Sequence, residues 1–130
     1  MRIGELAKLS DCSIQTIRFY EKEALLSEPE RSEGNFRLYG SETLDQLLFI
    51  KHCRELDLSL AEVRQLLSLQ KSPDACCDNV NNMVDAHIQQ VDARIRALRN
   101  LKSQLQMLRL NCRGAQAVKD CGILQGLKEA

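Results

Sequence analysis

Three cysteines stand at the two ends of a segment that has the pattern of one long helix. Cys77 comes just before this segment, and Cys112 and Cys121 come just after it. Residues 79–110 contain no Pro or Gly and carry apolar residues at helical spacing. At roughly 1.5 Å per residue the predicted helix is about 48 Å long. One chain therefore cannot bring Cys77 to the other two cysteines without folding the helix in half.

Two copies of the chain remove this difficulty if their long helices pair in antiparallel orientation. The start of one helix then lies beside the end of the other, and Cys77 of one subunit meets Cys112 and Cys121 of the second. Three thiolates in such a shared pocket suit soft, thiophilic metal ions. The alternative interpretation is that the three cysteines are unrelated, and their spacing alone does not decide between the two.

Charge and hydropathy limit the classes of protein that fit. Lys and Arg number 18, as do Asp and Glu, and the first 70 residues hold 9 basic against 12 acidic residues. This balance argues against an indiscriminate nucleic-acid binder, and any DNA contact needs a local cluster of basic side chains. No apolar run approaches the roughly 20 residues that span a bilayer. We expect a cytoplasmic protein without membrane contact, whose six cysteines are thiols or metal ligands rather than disulfides.

Two short helices joined by a tight turn are predicted within residues 3–26, which is the helix-turn-helix pattern. Ser13 can cap the second helix through its hydroxyl. The helical pattern leaves Thr16, Arg18 and Tyr20 available for contacts outside the core. The apolar residues that we expect to face inward are Ile3, Leu6 and Leu9 in the first helix and Ile14, Ile17 and Leu25 in the second.

A change of composition at residues 27–39 predicts a β-hairpin, or wing. Gly34 and Asn35 can take the positive φ that a tight hairpin requires, and the residues that follow alternate like a strand. The predicted wing carries Arg31 and Arg37. Two more helices follow, one from Ser41 to about Leu56 and one that opens with a capping-box signature at Ser59 and Glu62. The boundary of this first domain falls at Pro73, which cannot continue a helix.

The long helix carries a narrow apolar stripe. Its residues recur at spacings of three or four, close to a heptad seam with one skipped residue. A stripe of this kind on a single long helix needs a partner, so we expect dimerisation. The alternative is that the helix packs back onto the first domain. The seam consists of Val84, Ile88, Val91, Ile95, Leu98, Leu101, Leu105 and Leu108.

Three motifs, IGELAK at 3–8, TIRFYE at 16–21 and RSEGNFRLY at 31–39, together with the long helix and the terminal cysteines, resemble the MerR family of transcriptional regulators. Within the family, the chain is most similar to the cadmium- and lead-responsive branch. The resemblance implies a mainly α fold with a winged helix-turn-helix domain and an antiparallel coiled coil. The implied parts are the DNA-binding domain at 1–70, a hinge at 71–78, the dimerisation helix at 79–110 and a metal-binding loop with a short terminal helix at 111–130.

The resemblance also implies the residues that contact DNA. The segment on the second helix meets the DNA backbone and the major groove, and the wing meets neighbouring phosphates. Family members often have Tyr at the position of Phe36, so the hydroxyl contact is absent here. The positions that match are Thr16, Arg18 and Tyr20 on the helix and Arg31, Asn35, Phe36 and Arg37 on the wing.

Cys77, Cys112 and Cys121 match the three metal-ligand positions of the family's divalent-metal sensors. Copper(I) sensors typically have Ser in place of Cys77, and zinc sensors add a second Cys beside the position of Cys112 and a His in the loop. Three thiolates satisfy Pb(II), Cd(II) and Hg(II), whereas Zn(II) usually takes a fourth ligand. Pb(II) or Cd(II) is therefore the expected ion, followed by Hg(II) and then Zn(II). Arg113 and Lys119 are expected to lower the pKa of nearby thiols.

The function implied by the resemblance is that of a homodimer on promoter DNA, where it represses without metal and activates RNA polymerase by distorting the DNA when metal binds. No catalytic motif is present, so we do not expect an enzyme. Two alternatives stay open. A soft-metal chaperone or storage protein would need the three thiolates but leaves the wing unexplained. A redox sensor would form disulfides among the same cysteines. Of the two adjacent cysteines we expect Cys77 to be the ligand, and whether Cys76 can replace it stays open.

Overall fold

The computed structural model describes residues 1–129, most of which are helical. The chain divides into two compact units, the N-terminal unit of Met1–Val80 and the C-terminal unit that begins at Asn81. No helix among the described residues is long and apolar enough to cross a membrane. The elements in chain order are α1 (Ile3–Ser10), α2 (Ile14–Lys22), β1 (Glu30–Arg31), β2 (Arg37–Leu38), α3 (Ser41–Glu55), α4 (Leu60–Gln70), α5 (Asp78–Arg109), a 3-10 turn (Val118–Asp120) and α6 (Gly122–Glu129).

Local hydrogen bonds set the starts of two helices, as the sequence predicted. The Ser13 hydroxyl accepts a hydrogen bond of 3.0 Å from the Thr16 N–H at the first turn of α2. At α4 the capping box is complete, because the Ser59 hydroxyl accepts from the Glu62 N–H and the Glu62 carboxylate accepts from the Ser59 N–H. These bonds satisfy N–H groups that have no partner within the helix.

The core of the N-terminal unit draws residues from all four of its helices. Its buried members include Leu6 of α1, Ile17 of α2, Leu47 and Ile50 of α3, and Val63 of α4, each with no exposed surface. Together these side chains hold α1 and α2 on α3 and α4, and so fix the helix-turn-helix.

The predicted buried faces of α1 and α2 were wrong at three positions. Leu9 is 55% exposed and Ile14 is 39% exposed, whereas Tyr20 is only 9% exposed and belongs to the core. Ser10 is buried in place of Leu9, because its hydroxyl donates a 2.7 Å hydrogen bond to the Leu6 carbonyl and so satisfies its polar group. Tyr20 therefore supports α2 from the inside instead of standing free of the core.

The wing forms between α2 and α3, as predicted. Strands β1 and β2 pair in antiparallel register with Arg31 opposite Arg37. Of the two turn residues, only Asn35 takes a positive φ, at 61°. The Asn35 N–H donates to the Ser32 carbonyl and the Ser32 N–H donates to the Phe36 carbonyl, both at 2.8 Å, which closes the hairpin.

Helix α5 is one uninterrupted helix of 32 residues, shifted by a single residue at each end from the predicted span. Seven of the eight predicted seam residues are exposed in the single chain, and Leu108 is half-buried. Gly114, with φ of 86°, lies in the turn region that follows α5. The closing helix α6 has 8 residues, so it is longer than the single turn that the sequence predicted.

Candidate nucleic-acid interface and metal centre

The three arginines that the sequence predicted for DNA contact line one cleft of the N-terminal unit. Arg18 comes from α2, and Arg31 and Arg37 come from the paired strands of the wing. The cleft has a volume of about 510 Å³. Its other lining residues are Glu21, Lys22, Glu28 and Pro29. The fold thus gathers basic side chains into one place although the N-terminal half of the sequence is formally acidic.

A neighbouring cleft adds a fourth arginine that the sequence analysis missed. Arg2 lines this cleft with Arg18, Asn35 and Phe36, and its guanidinium carbon lies 4.4 Å from the centre of the Phe36 ring. This is the geometry of a cation–π contact. Phe36 of the wing therefore holds Arg2 beside the cleft that the other three arginines line, and we call these two neighbouring clefts the arginine clefts.

The N-terminus explains why Arg2 lies at the wing. The Met1 nitrogen donates to the Tyr39 carbonyl at 2.6 Å, and the Tyr39 N–H donates to the Met1 carbonyl at 2.7 Å. These bonds join positions 38 residues apart, just after β2. No local pattern in the sequence indicates such a pairing, so Arg2 was not a candidate.

Arg37 also holds the wing on α2. Its Nε lies 3.3 Å from Oε1 of Glu21, and the Tyr39 hydroxyl donates a 3.0 Å hydrogen bond to Oε2 of the same carboxylate. Burial of Tyr39, together with its hydrogen bond to Glu21 and the negative charge there, raises the pKa of Tyr39 to about 12. Glu21 thus fastens both the strand and the residue that follows it to the predicted DNA-contacting helix.

The remaining predicted DNA contacts divide between the wing tip and α2. At the tip, the Arg31 Nη1 donates to the Asn35 carbonyl at 3.2 Å, and Phe36 is exposed. On α2, Thr16 accepts a 2.8 Å hydrogen bond from the Ser13 hydroxyl. Thr16 and Tyr20 line a different cleft from the arginines. The structure therefore brings the wing residues and Arg18 together, but not Thr16 and Tyr20 with them.

Cys112 and Cys121 meet in the C-terminal unit. Cys112 follows α5 and Cys121 precedes α6, both are half-buried, and the Cys112 side chain is near enough to the Cys121 thiol to lower its pKa. The Cys112 thiol also lies 3.7 Å from Oε1 of Gln116. The Arg109 Nη1 donates a 2.5 Å hydrogen bond to the Cys112 carbonyl, at the end of α5. Two of the three predicted metal ligands are thus paired within one chain.

The start of α6 favours the thiolate form of Cys121. The backbone N–H of Leu124 lowers the pKa of the Cys121 thiol, and burial, the second-largest effect, raises it. The Ile123 N–H, the Cys112 side chain and the Arg109 guanidinium add smaller lowering effects, so the net shift is downward. Helix N-termini and nearby cations commonly act on cysteines in this way. The cation involved is Arg109, and not either of the two basic residues that the sequence suggested. A thiolate is the form that binds metal.

Cys77 and its neighbour Cys76 are exposed and directly precede α5, in the N-terminal unit. No disulfide joins any of the cysteines among residues 1–129. Among residues 1–129, no group of three or more His, Cys, Asp or Glu side chains is arranged to hold a metal ion. The pair of Cys112 and Cys121 is therefore the part of the predicted metal centre that the single chain assembles.

Comparison with known proteins places the whole chain in one family. Residues 1–70 match the family model described as MerR HTH family regulatory protein, and residues 44–108 match the model described as MerR, DNA binding. The HTH-type transcriptional regulator ZntR of Escherichia coli K12 is 40% identical over 130 residues, which cover 98% of this chain and 92% of that protein.

Two solved structures are similar over nearly their full length. The transcription regulator PbrR691 from Ralstonia metallidurans CH34, in complex with lead(II), is 54% identical with a TM-score of 0.90 and 98% coverage of each chain. The dual function regulator MerR from Bacillus megaterium MB1, in complex with mercury(II), is 30% identical with a TM-score of 0.75, covering 98% of this chain and 99% of that one. With its winged helix-turn-helix and long C-terminal helix, this chain belongs to the MerR family of DNA-binding transcriptional regulators and is not an enzyme.

Proposed function

We propose that this chain is a metal-responsive regulator that binds promoter DNA as a homodimer and activates heavy-metal resistance genes when a soft metal ion binds to Cys77, Cys112 and Cys121. The observation that carries the proposal is that Cys112, after the end of α5, lies beside Cys121, before the start of α6, where the backbones of Asn111 and Gly122 meet. Two adjacent thiols supply most of a soft-metal site. Cys77 at the start of α5 supplies the third.

The donor set favours Pb(II) or Cd(II), then Hg(II), over Zn(II). Three thiolates complete the coordination that the larger soft ions accept, whereas Zn(II) sites in proteins are almost always four-coordinate. The similar structures of PbrR691 with lead(II) and MerR with mercury(II) support a metal ion as the effector. The thiolates of Cys77, Cys112 and Cys121 would hold the ion and would supply the soft sulfur donors that it prefers.

The homodimer follows from the exposed seam of α5. A row of aliphatic side chains on a long helix is stabilised when a second such helix covers it. Antiparallel pairing of two α5 helices places Cys77 of one subunit beside the Cys112 and Cys121 pair of the other. The same pairing therefore completes both the hydrophobic interface and the three-thiolate site.

On promoter DNA, each N-terminal unit is proposed to place α2 in the major groove and its wing on the flanking phosphates, with the half-site spacing set by the dimer. Arg18, Arg31 and Arg37 supply the positive charge for phosphates, and Asn35 and Phe36 complete the wing contact. Thr16 is proposed to contact DNA from α2. Because Tyr20 belongs to the core, its proposed role is to support α2.

Metal binding is proposed to act through the hinge at 71–78. Cys77, before α5 of one subunit, and Cys112 and Cys121, after α5 of the other, would hold the ion together, and this link between subunits would bias the orientation of the N-terminal units. Such a bias needs different metal affinities for the two orientations. Distorting promoter DNA costs a few kcal/mol, comparable with a coupling free energy of about 1–3 kcal/mol. The distorted promoter is then aligned for RNA polymerase.

Serine substitution of each ligand tests the proposal. Cys77→Ser, Cys112→Ser and Cys121→Ser should each abolish Pb(II)-induced transcription from the target promoter, because a hydroxyl does not replace a soft thiolate. Apo DNA affinity should stay within a few-fold of wild type, since the N-terminal unit is intact. Cys76→Ser is the matched control and should induce normally. Full induction by Cys121→Ser would contradict the three-thiolate site and make Cys76 the next candidate.

A redox sensor is the second candidate, because Cys112 and Cys121 are neighbouring thiols that are placed to form a disulfide. A transcription assay with two arms, one with reductant and Pb(II) and the other with neither reductant nor metal, separates the two functions. The metal sensor responds to Pb(II) under reducing conditions and the redox sensor responds to diamide without metal.

A further inference from the structure

The backbone at the start of α6 touches the backbone of the turn that follows α5, beside Cys112 and Cys121. Gly122 is the first residue of α6, and a Cβ atom there would lie 2.1 Å from the carbonyl oxygen of Asn111 and 3.1 Å from its carbonyl carbon. Side-chain carbons do not approach oxygen atoms that closely, and the atoms in the way belong to the backbone, which cannot rotate aside. Gly122 does not have a positive φ. The requirement for glycine therefore comes from close approach and not from backbone conformation.

This contact lies one residue away from each member of the thiol pair. Asn111 directly precedes Cys112, and Gly122 directly follows Cys121. The contact thus fixes how near the chain entering α6 comes to the chain leaving α5. The separation of the two sulfur atoms depends on the same distance.

We propose that Gly122 is a positioning residue for the metal centre: its missing side chain lets α6 rest against Asn111, which holds the Cys112 and Cys121 sulfur atoms together before metal binds. The inference rests on the proposed function, because it concerns two of the three proposed ligands. An Ala at this position must move the backbone by about 1 Å to restore an ordinary contact. Functional sites generally tolerate displacements of only about 0.5 Å.

The chain offers a matched control in the same helix. Gly126 faces the same region, but a Cβ atom there would meet the Asn111 Nδ2 at 3.6 Å and the Leu108 Cδ1 at 3.7 Å, which are ordinary contacts. Gly126→Ala therefore makes the same chemical change in α6 without displacing the backbone. Both substitutions raise helix propensity, so a difference between them reports the Asn111 contact.

The test compares Pb(II) binding of full-length Gly122→Ala, Gly126→Ala and wild-type protein, followed by the thiolate-to-lead absorption band. Gly122→Ala should bind Pb(II) at least tenfold more weakly than wild type, and Gly126→Ala should bind within twofold of wild type. Far-UV circular dichroism and apo DNA affinity should be the same for all three. Loss of helical signal in Gly122→Ala alone would overturn the positioning role in favour of a purely structural one.

A metal-free measurement gives the second readout. In a Cys76→Ser/Cys77→Ser background, diamide oxidises the two thiols to a disulfide: each thiol loses a proton, the S–S bond forms, and two electrons and two protons reduce diamide to the hydrazine. The rate of Cys112–Cys121 disulfide formation reports the proximity of the sulfur atoms. We expect Gly122→Ala to slow this reaction at least fivefold relative to Gly126→Ala.

The two readouts separate the inference from the proposed function. Equal Pb(II) affinity and equal disulfide rates for the two alanine variants would overturn the role of Gly122, while loss of Pb(II) binding in Cys121→Ser would still support the metal centre. Conversely, wild-type Pb(II) affinity in Cys121→Ser would reject the metal centre. The disulfide rates would then decide the role of Gly122 alone.

Discussion

The arginines around α2 and the wing differ in the contacts that their side chains make within the protein. Arg37 is paired with Glu21, and Arg31 donates to the wing-tip carbonyl of Asn35. Arg2 stacks on Phe36. Substitution of Arg37 therefore removes a structural ion pair together with a positive charge, so it is not a clean test of DNA contact. Arg2 gives a cleaner one.

Arg2→Ala should weaken binding to promoter and non-promoter DNA by a similar factor. A lost phosphate contact reduces the slope of log affinity against log salt concentration by about 1. The measurement is a DNA titration at several salt concentrations. Lys8→Ala is the matched control, because Lys8 is an exposed cation of α1 that lines neither arginine cleft. Equal salt slopes for the two variants would contradict a DNA contact by Arg2.

At the scale of elements, the wing is fastened to α2 through one carboxylate. The hydrogen bond from Tyr39 to Glu21 requires a protonated phenol, and the folded state raises the pKa of Tyr39 from 10.0 to about 12. A group whose pKa is raised on folding contributes stability that is complete below its unfolded pKa. That contribution is lost as pH rises through the folded pKa.

Tyr39→Phe should therefore lower the free energy of unfolding by about 1–3 kcal/mol at pH 8, since the hydrogen bond has a charged acceptor. Between pH 10 and pH 12 the stability difference between wild type and Tyr39→Phe should shrink, because only the wild type loses this contribution. Urea unfolding at pH 8, 10 and 11.5 measures the effect. A difference that is constant over this range would contradict the shifted pKa.

Helix starts and turns that depend only on residues close together in the sequence could be predicted. The caps of α2 and α4 and the wing turn need only residues within four positions of one another. The core faces of α1 and α2 were harder, because burial depends on which side of a short helix meets α3 and α4. Ser10 is buried although it is polar, and Leu9 is exposed although it is apolar.

In the candidate metal centre, too, features set by nearby positions in the chain could be predicted, and a feature set by packing could not. The pairing of Cys112 with Cys121 could be predicted, since both cysteines follow the same helix end a short distance along the sequence. The Asn111–Gly122 contact could not be predicted, because glycine at a helix start has several ordinary explanations. Only the folded structure shows that Gly122 is required because its backbone closely approaches that of Asn111.

For the whole molecule, the proposed dimer depends on the seam of α5. Leu98→Glu should convert the protein to monomers and abolish binding to the promoter, because a carboxylate on the seam is buried against an apolar surface. Sedimentation velocity measures the oligomeric state. Asn100→Glu, on the exposed surface of the same helix and off the seam, should remain dimeric. A monomeric wild type would reject the dimer.

The exposed seam also has a consequence for dosage. If only a second copy covers the seven exposed seam residues of α5, assembly obeys mass action, and at concentrations well below the dissociation constant the amount of dimer rises with the square of the amount of chain. Halving expression then reduces the active regulator about fourfold. The sensitivity of a cell to metal is in this way tied to the abundance of the chain as well as to its affinity for the ion.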